Sequence, residues 1–374
     1  MSWLRTSIVA TDGRGSSHSY SPVWGWTRAY PETTGYLIPT LLQYADLMQD
    51  DILREMAERC RRWLLDIQLP NGAWAGGMAG ETRPSVFNTA MILWGVGAKT
   101  PPGHPHPLPR GGGGLALNNT CSPEAGCDSI PTHEKPAMRD ARASPTGEKL
   151  GMEWLLSTLS PDGAWRNGAY IPGFVPSYYT YAVWSLLEAG ARLGLPDVQE
   201  QMRTALCYYA RRIQSDSTVA DWGLKPGQWA FTHTIAYTLQ GFWESALLLG
   251  EEDILEKTAR CAEGLLAELD RSGHVAAGRY GPGWQGDYSF TCPVGNAQLS
   301  IFFRRLWEKT GAEKFERAAG FFLAEALRFQ NLEKNPNCRG ALPGSAPFWG
   351  PYLRWRYPNW GVKFLLDAMA DKYR

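Results

Sequence analysis

The 374-residue sequence has no surplus charge of either sign: Lys plus Arg and Asp plus Glu each total 37, for a formal net charge of 0. Without a basic excess nothing draws the chain globally to nucleic acid or anionic lipid, so neither is expected as a partner. Runs of 18 apolar residues are missing, and the opening Met1–Ala10 lacks the apolar core of a signal peptide. Membrane insertion is therefore not expected, and a cytoplasmic location is the default. Cysteine is scarce and badly spaced for metal: of the seven, Cys121 and Cys127 form no CxxC and have no matching second pair. Cys60, Cys207 and Cys261 fall inside apolar helical patterns and read as buried free thiols. Half of the six histidines, His104, His106 and His133, sit in a low-complexity stretch and read as solvated. No metal and no cofactor is expected.

What the chain has in quantity is aromatic surface, with 17 Trp, 16 Tyr and 13 Phe. That density suits either a carbohydrate site, where rings stack on sugar faces, or an apolar cavity lined by rings. The organising stretch is Tyr30-Pro31-Glu32-Thr33-Thr34-Gly35-Tyr36. Pro31 keeps Tyr30 extended, and an apolar stripe at helical spacing follows over roughly 34–48. Thr33 or Thr34 is the expected cap, which puts Glu32 at a helix N-terminus, where backbone N–H groups favour negative charge. A second helix is expected over 51–68, stopped by Pro70-Asn71-Gly72.

This unit recurs. Trp63, Trp154, Tyr209, Leu265 and Phe322 hold equivalent places, at spacings of 91, 55, 56 and 57 residues. A period near 56 accommodates two helices and two loops. Partner helices open at Thr33-Thr34, Phe87-Asn88-Thr89, Tyr179-Thr180, His233-Thr234, Gly295-Asn296 and Pro358-Asn359. Six αα hairpins, none able to bury both faces alone, close into an all-α (α/α)6 toroid of inner and outer helices. The whole chain, 1–374, is expected to be one such domain. The long first interval falls on 98–148, rich in Pro, Gly and Ser, which reads as an irregular, disordered insertion. Residues 1–29 read as an ordered arm bringing Trp24 and Trp26 toward Glu32.

Trp63-Leu64, Gln68, Gly72 and Trp74 resemble the Q-W motif of the squalene–hopene cyclase and prenyltransferase toroids, and Trp154, Gly163 and Trp165 repeat it with Leu159 in place of Gln. More specifically, Tyr30–Tyr36, Val86–Thr89, His233–Tyr237, Gly295-Asn296-Ala297-Gln298 and Tyr357-Pro358-Asn359-Trp360 resemble bacterial α/α-toroid proteins associated with polysaccharide biosynthesis. The resemblance implies the toroid, a polysaccharide or oligosaccharide substrate, and proteins of polysaccharide assembly as candidate partners. It does not extend to cyclase chemistry, because no DxDD motif is present and no Asp/Cys/His zinc set stands out. The Q-W elements are therefore read as structural ties between a helix end and the next turn.

Loops ahead of the inner helices line the cavity of such a toroid. They carry Trp24, Trp26, Tyr30 and Glu32; Asn88; Tyr179; Trp229 and His233; Arg279, Tyr280, Asp287 and Asn296; and Trp349, Arg356 and Asn359. Rings for sugar faces, amides for hydroxyls and arginines for a uronate carboxylate make a saccharide site. Hydrolysis needs two carboxylates, for which Glu32 and Asp287 are the first choices, with Asp221 behind them. Uronate elimination or epimerisation needs a base beside a neutralised carboxylate, a role open to His233, Tyr179 or Tyr280 with Arg279 or Arg356. A terpenoid cyclase-like protein and a non-catalytic glycan-binding protein are the remaining readings.

Overall fold

A computed structural model describes residues 1–98 and 145–371, and within them twelve α-helices and six strands of two or three residues. Tyr30, extended at φ −120°, precedes Pro31, and the helix starts at the proline itself: α2 runs Pro31–Met48, three residues earlier than the sequence suggests. Thr33 and Thr34 are thus inside the first turn rather than capping it. Thr34 Oγ1 donates back to the Tyr30 carbonyl at 2.8 Å and accepts from the Ser16 N–H at 2.9 Å. The other inner helices are α4 (Val86–Gly97), α6 (Thr180–Leu193), α8 (Thr232–Leu249), α10 (Pro293–Thr310) and α12 (Asn359–Asp371). Each packs on the next, and α12 returns to α2 to close the ring. All six expected openings fall within a residue or two of these helix starts.

The outer layer is α3 (Asp51–Asp66), α5 (Pro145–Thr158), α7 (Asp197–Ala210), α9 (Glu252–Arg271) and α11 (Glu313–Arg328). Burial separates the two layers. Every residue from Thr232 to Ala246 of α8 is buried. Its partner α9 buries one stripe only, Ile254, Leu255, Thr258, Cys261, Ala262, Leu265 and Leu269, at the three- and four-residue spacing of an amphipathic helix. The sixth outer position is filled from the other end of the chain. Residues 1–29 are not simply an arm: α1 (Ser2–Val9) buries Trp3, Leu4 and Ile8 and packs on α12. Strand β1 (Ser19–Ser21) pairs with β2 (Gly25–Trp26) and, antiparallel, with β6 (Tyr357–Pro358), which zips the two ends together.

Helix α5 starts at Pro145, inside the stretch read as irregular; residues 99–144, with Cys121, Cys127 and the three histidines noted above, lie outside the described residues. The Q-W elements tie helix ends as expected. Trp74 Nε1 donates to the Leu64 carbonyl of α3 at 2.7 Å, while Gln68 Nε2 donates to Gly72 at 2.7 Å and to Gly147 of α5 at 2.8 Å. In the second copy Trp165 Nε1 donates to Leu155 at 2.9 Å. Glycine sets the inner seams. A Cβ on Gly35 would stand 2.4 Å from the Ile92 Cα, and one on Gly95 would stand 2.3 Å from the Gly35 carbonyl oxygen, so α2 and α4 cross backbone on backbone.

Candidate active site

Because inner and outer helices alternate, the six inner helices run in one direction and their N-termini share one mouth. Glu32 lies in the first turn of α2 and is 7% exposed. The Tyr30 hydroxyl donates to its Oε2 at 2.6 Å, and the Tyr170 hydroxyl stands 3.2 Å from the same oxygen. Burial raises the carboxyl from 4.5 to about 7; the two tyrosine hydrogen bonds favour the anion but do not offset it. The single Tyr170 hydroxyl proton is shared between Glu32 Oε2 and Asn88 Oδ1, and Asn88 Nδ2 is anchored on the Ala75 carbonyl at 3.1 Å. Ser85 caps α4 through the Asn88 N–H, so the start of that helix fixes where Asn88 points. Glu32, Tyr30, Tyr170 and Asn88 form one hydrogen-bonded group across two helix starts.

The far wall is an aromatic cage around two neutral imidazoles. His233, in the first turn of α8, is held at the α8–α10 seam, where a Cβ on Gly295 would stand 2.5 Å from the His233 backbone nitrogen. Its ring lies 4.4 Å from Tyr237, 5.5 Å from Tyr352 and 6.3 Å from Trp360. Burial drives its pKa down to about 3, against a smaller opposing effect of Gln298, and Nδ1 is buried without a partner. His18 sits edge-on to both Tyr30 and Trp360 at 4.9 Å, and burial, then the Arg356 charge, lower it to about 4. Both rings are uncharged at neutral pH.

The remaining expected residues scatter. Asn296 donates to Thr291 Oγ1 at 3.2 Å, and Asn359 bonds Ser16 Oγ; both leave their Oδ1 buried and unpartnered. Tyr179 is buried with its hydroxyl unpartnered and its ring stacked 6.1 Å from Phe87. Arg356 lies 5.3 Å over the Trp24 ring at the rim. Trp26 is packed between Trp3 and Tyr20 and donates to Asn337 Oδ1 at 3.0 Å. Trp349 is exposed. Asp287 belongs to a small sheet of β3 (Ala230–Phe231), β4 (Arg279–Tyr280) and β5 (Gly286–Asp287). There it accepts from Arg279 Nε at 2.8 Å and from Ser289. Burial pushes its carboxyl up, but the Ser289 and Arg279 hydrogen bonds outweigh this and hold it below the ordinary range. Trp229, Arg279 and Asp287 line a recess of about 510 Å³. Tyr280 is turned into the core, where its hydroxyl accepts from the Ala277 N–H at 3.1 Å. Glu32 and Asp287 are thus not brought together as a bonded pair: one is held by tyrosines, the other by arginine.

Tyr170, His18 and Trp360 also belong to the candidate site, and none of them was among the site residues expected from the sequence, where Trp360 entered only as part of a resemblance motif. Tyr170 lies 138 residues from Glu32. Its only signal was membership of the loop ahead of α6. Among the described residues no group of three or more His, Cys, Asp or Glu side chains is placed to hold a metal ion.

No protein-family model matches the sequence, and no curated protein matches it significantly. Solved structures do match in shape. The chain is similar to the unsaturated glucuronyl hydrolase from Bacillus sp. GL1, with a TM-score of 0.69 at 14% identity, covering 100% of this chain and 95% of that one. An unsaturated glucuronyl hydrolase from Streptococcus agalactiae aligns with a TM-score of 0.64 at 11% identity, over 100% and 89% of the two chains. Cellobiose 2-epimerase from Bacillus thermoamylovorans B4167 aligns with a TM-score of 0.61 at 10% identity, over 99% and 97%. At these identities the likeness establishes the fold: this chain is an all-α (α/α)6 toroid.

Proposed function

We propose that the protein is a carbohydrate-active enzyme that uses Glu32 as a general acid–base on a uronate-containing oligosaccharide bound in the mouth of the toroid. The observation that carries this reading is the buried Glu32 carboxyl, raised to about 7 and held between Tyr30 and Tyr170. Such a group is roughly half protonated at neutral pH. It can give its proton to a departing glycosidic oxygen, or to the carbon–carbon double bond of an unsaturated uronate, and recover one from water. Tyr30, Trp360 and Tyr170 offer ring surface beside it, and Asn88 an amide. Arg356 stands at one rim beside His18, and Arg83 at the other beside Tyr179. Arg83 donates to the Ala169 carbonyl at 3.2 Å and Arg356 to Ser19 Oγ at 3.3 Å, and each guanidinium has further N–H groups for a uronate carboxylate. Asp287 is committed to Arg279, so the reading rests on one carboxyl rather than a glycosidase pair. The fold shared with unsaturated glucuronyl hydrolases supports a uronate substrate; one of those structures holds dGlcA-Glc-Rha-Glc and another dGlcA-GalNAc6S.

A second reading, epimerisation, would use His233 as the base, because its Nδ1 has no protein partner; with a pKa of about 3 the ring is a weak base until the charge of a bound substrate raises it. One experiment separates the two. Oligosaccharides ending in unsaturated and in saturated uronates, and cellobiose, are incubated with the protein in deuterated water, and products are followed by mass spectrometry. Cleavage of a uronate-ended substrate, abolished by Glu32→Gln, is the expected result. An isomer carrying solvent deuterium without cleavage selects epimerisation, and turnover unaffected by Glu32→Gln sinks the Glu32 reading.

A further inference from the structure

On the far side of the inner helices from Glu32, from their middle turns toward their C-terminal ends, lies a second cavity of about 610 Å³ to which all six inner helices contribute. An aromatic waist divides it from the mouth that holds Glu32. The Tyr36 and Tyr237 hydroxyls meet at 3.2 Å, and Tyr181 packs on Tyr237 with ring centroids 4.7 Å apart. The volume is that of a small-molecule site.

The polar lining has spare acceptors and no spare cation. Arg305 is taken up by Glu244, at 2.7 and 3.0 Å, and by Glu308 at 2.5 Å. Lys363 is taken up by Asp367 at 2.5 Å. With Glu188 the lining holds four carboxylates against two cations. Glu188 accepts from Trp94 Nε1 at 2.7 Å and lies 3.8 Å from Arg192. Independently, Gln240, 4% exposed, is among the cavity-lining residues, and its Oε1 is buried and without a partner. Leaving an acceptor dry costs free energy unless a donor reaches it. Beside Glu188, Trp94 and Trp184 pack edge to face at 4.9 Å, with Tyr181 5.2 Å from Trp184. Lys363 already lies 4.4 Å over the Phe364 ring in this cavity.

We infer that this cavity binds a small organic ammonium ion of hexosamine size or less, its ammonium received by Glu188, Gln240 Oε1 and the Trp94–Trp184 wall. Excess negative charge, an unfilled buried acceptor and adjacent rings are the elements that recognise such a cation. The inference does not depend on the activity proposed for Glu32. Calorimetric titration of the full chain with glucosamine and with 1,4-diaminobutane tests it, with glucose as the neutral match. Expected is saturable binding of at least one amine with a Kd on the order of 1 mM or tighter, and glucose at least roughly tenfold weaker. Glu188→Gln should weaken the amine by about tenfold, and the more exposed Glu308→Gln severalfold, each in protein with unchanged circular dichroism, through loss of a charge facing the ligand. Glu32→Gln, across the waist, should leave the affinity unchanged. No saturable amine binding, glucose binding as tightly as glucosamine, or an affinity that follows Glu32 rather than Glu188 and Glu308 overturns it.

Discussion

Glu32→Gln reads out the buried carboxyl twice, in stability and in turnover. The folded protein holds the carboxyl at about 7 against an ordinary 4.5, the largest cause being burial. Because the folded value is the higher one, the proton on Glu32 stabilises the fold fully below pH 4.5, and that contribution is lost as pH climbs to about 7. The difference corresponds to about 3 kcal/mol carried as a penalty in the alkaline protein. Gln keeps the shape and cannot ionise. At pH 8 the variant should therefore be more stable than the parent by roughly 1–3 kcal/mol, after allowing for weaker tyrosine hydrogen bonds. Near pH 5 the two should agree within about 1 kcal/mol. Thermal unfolding across this range is the first assay. In the second, turnover of a uronate-ended oligosaccharide should fall on the order of 10²-fold or more, and the parent's activity should decline as pH rises past about 7 if Glu32 acts as the acid. Equal pH dependence of unfolding in parent and variant would refute the buried-carboxyl argument, whatever the activity shows.

Three further outcomes follow from named contacts. Tyr170→Phe removes a hydrogen bond that favours the Glu32 anion, so the alkaline limb of the pH–rate profile should move to higher pH, with turnover down roughly tenfold from lost positioning. A limb that stays put would show that Tyr170 does not act on Glu32. Gly35→Ala places a Cβ 2.4 Å from backbone of α4 that has no room to yield; a loss of at least about 2 kcal/mol in urea unfolding is expected. Trp74→Phe strips the donor from the buried Leu64 carbonyl and should cost about 1–3 kcal/mol in the same assay, with little effect on turnover.

The layout of the toroid was legible because its causes are local and repeated. A three- and four-residue apolar stripe, a turn after each outer helix and the Gln68–Trp74 tie recur at one period, and each recurrence constrains the others. The place of Glu32 at a helix start was legible for the same reason, since Pro31 marks that start from sequence alone. Helix bounds shifted by a few residues: Tyr30, extended ahead of the proline, let α2 begin at Pro31, before any threonine could cap it. The sixth outer helix was not legible. Ser2–Val9 is a single short helix with no partner near it in sequence, and it has a place only because α12 comes round to meet it.

The make-up of the candidate site depended on ring closure. Tyr170 reaches Glu32 across 138 residues, and Trp360 meets Tyr30 at 5.9 Å from the opposite end of the chain. No periodicity encodes such pairs, because they follow from how far the inner helices rotate as they close. The same closure separates residues that looked alike. Glu32, in the first turn of α2, and Asp287, just ahead of α10, are both acids near the start of an apolar helix. One is sealed among tyrosines and raised to about 7, and the other is held by Ser289 and Arg279 below its ordinary range. Composition and pattern determined which helices form and which ends they present. Only the tertiary structure decided which carboxyl loses its water, because desolvation is set by neighbours distant in the chain.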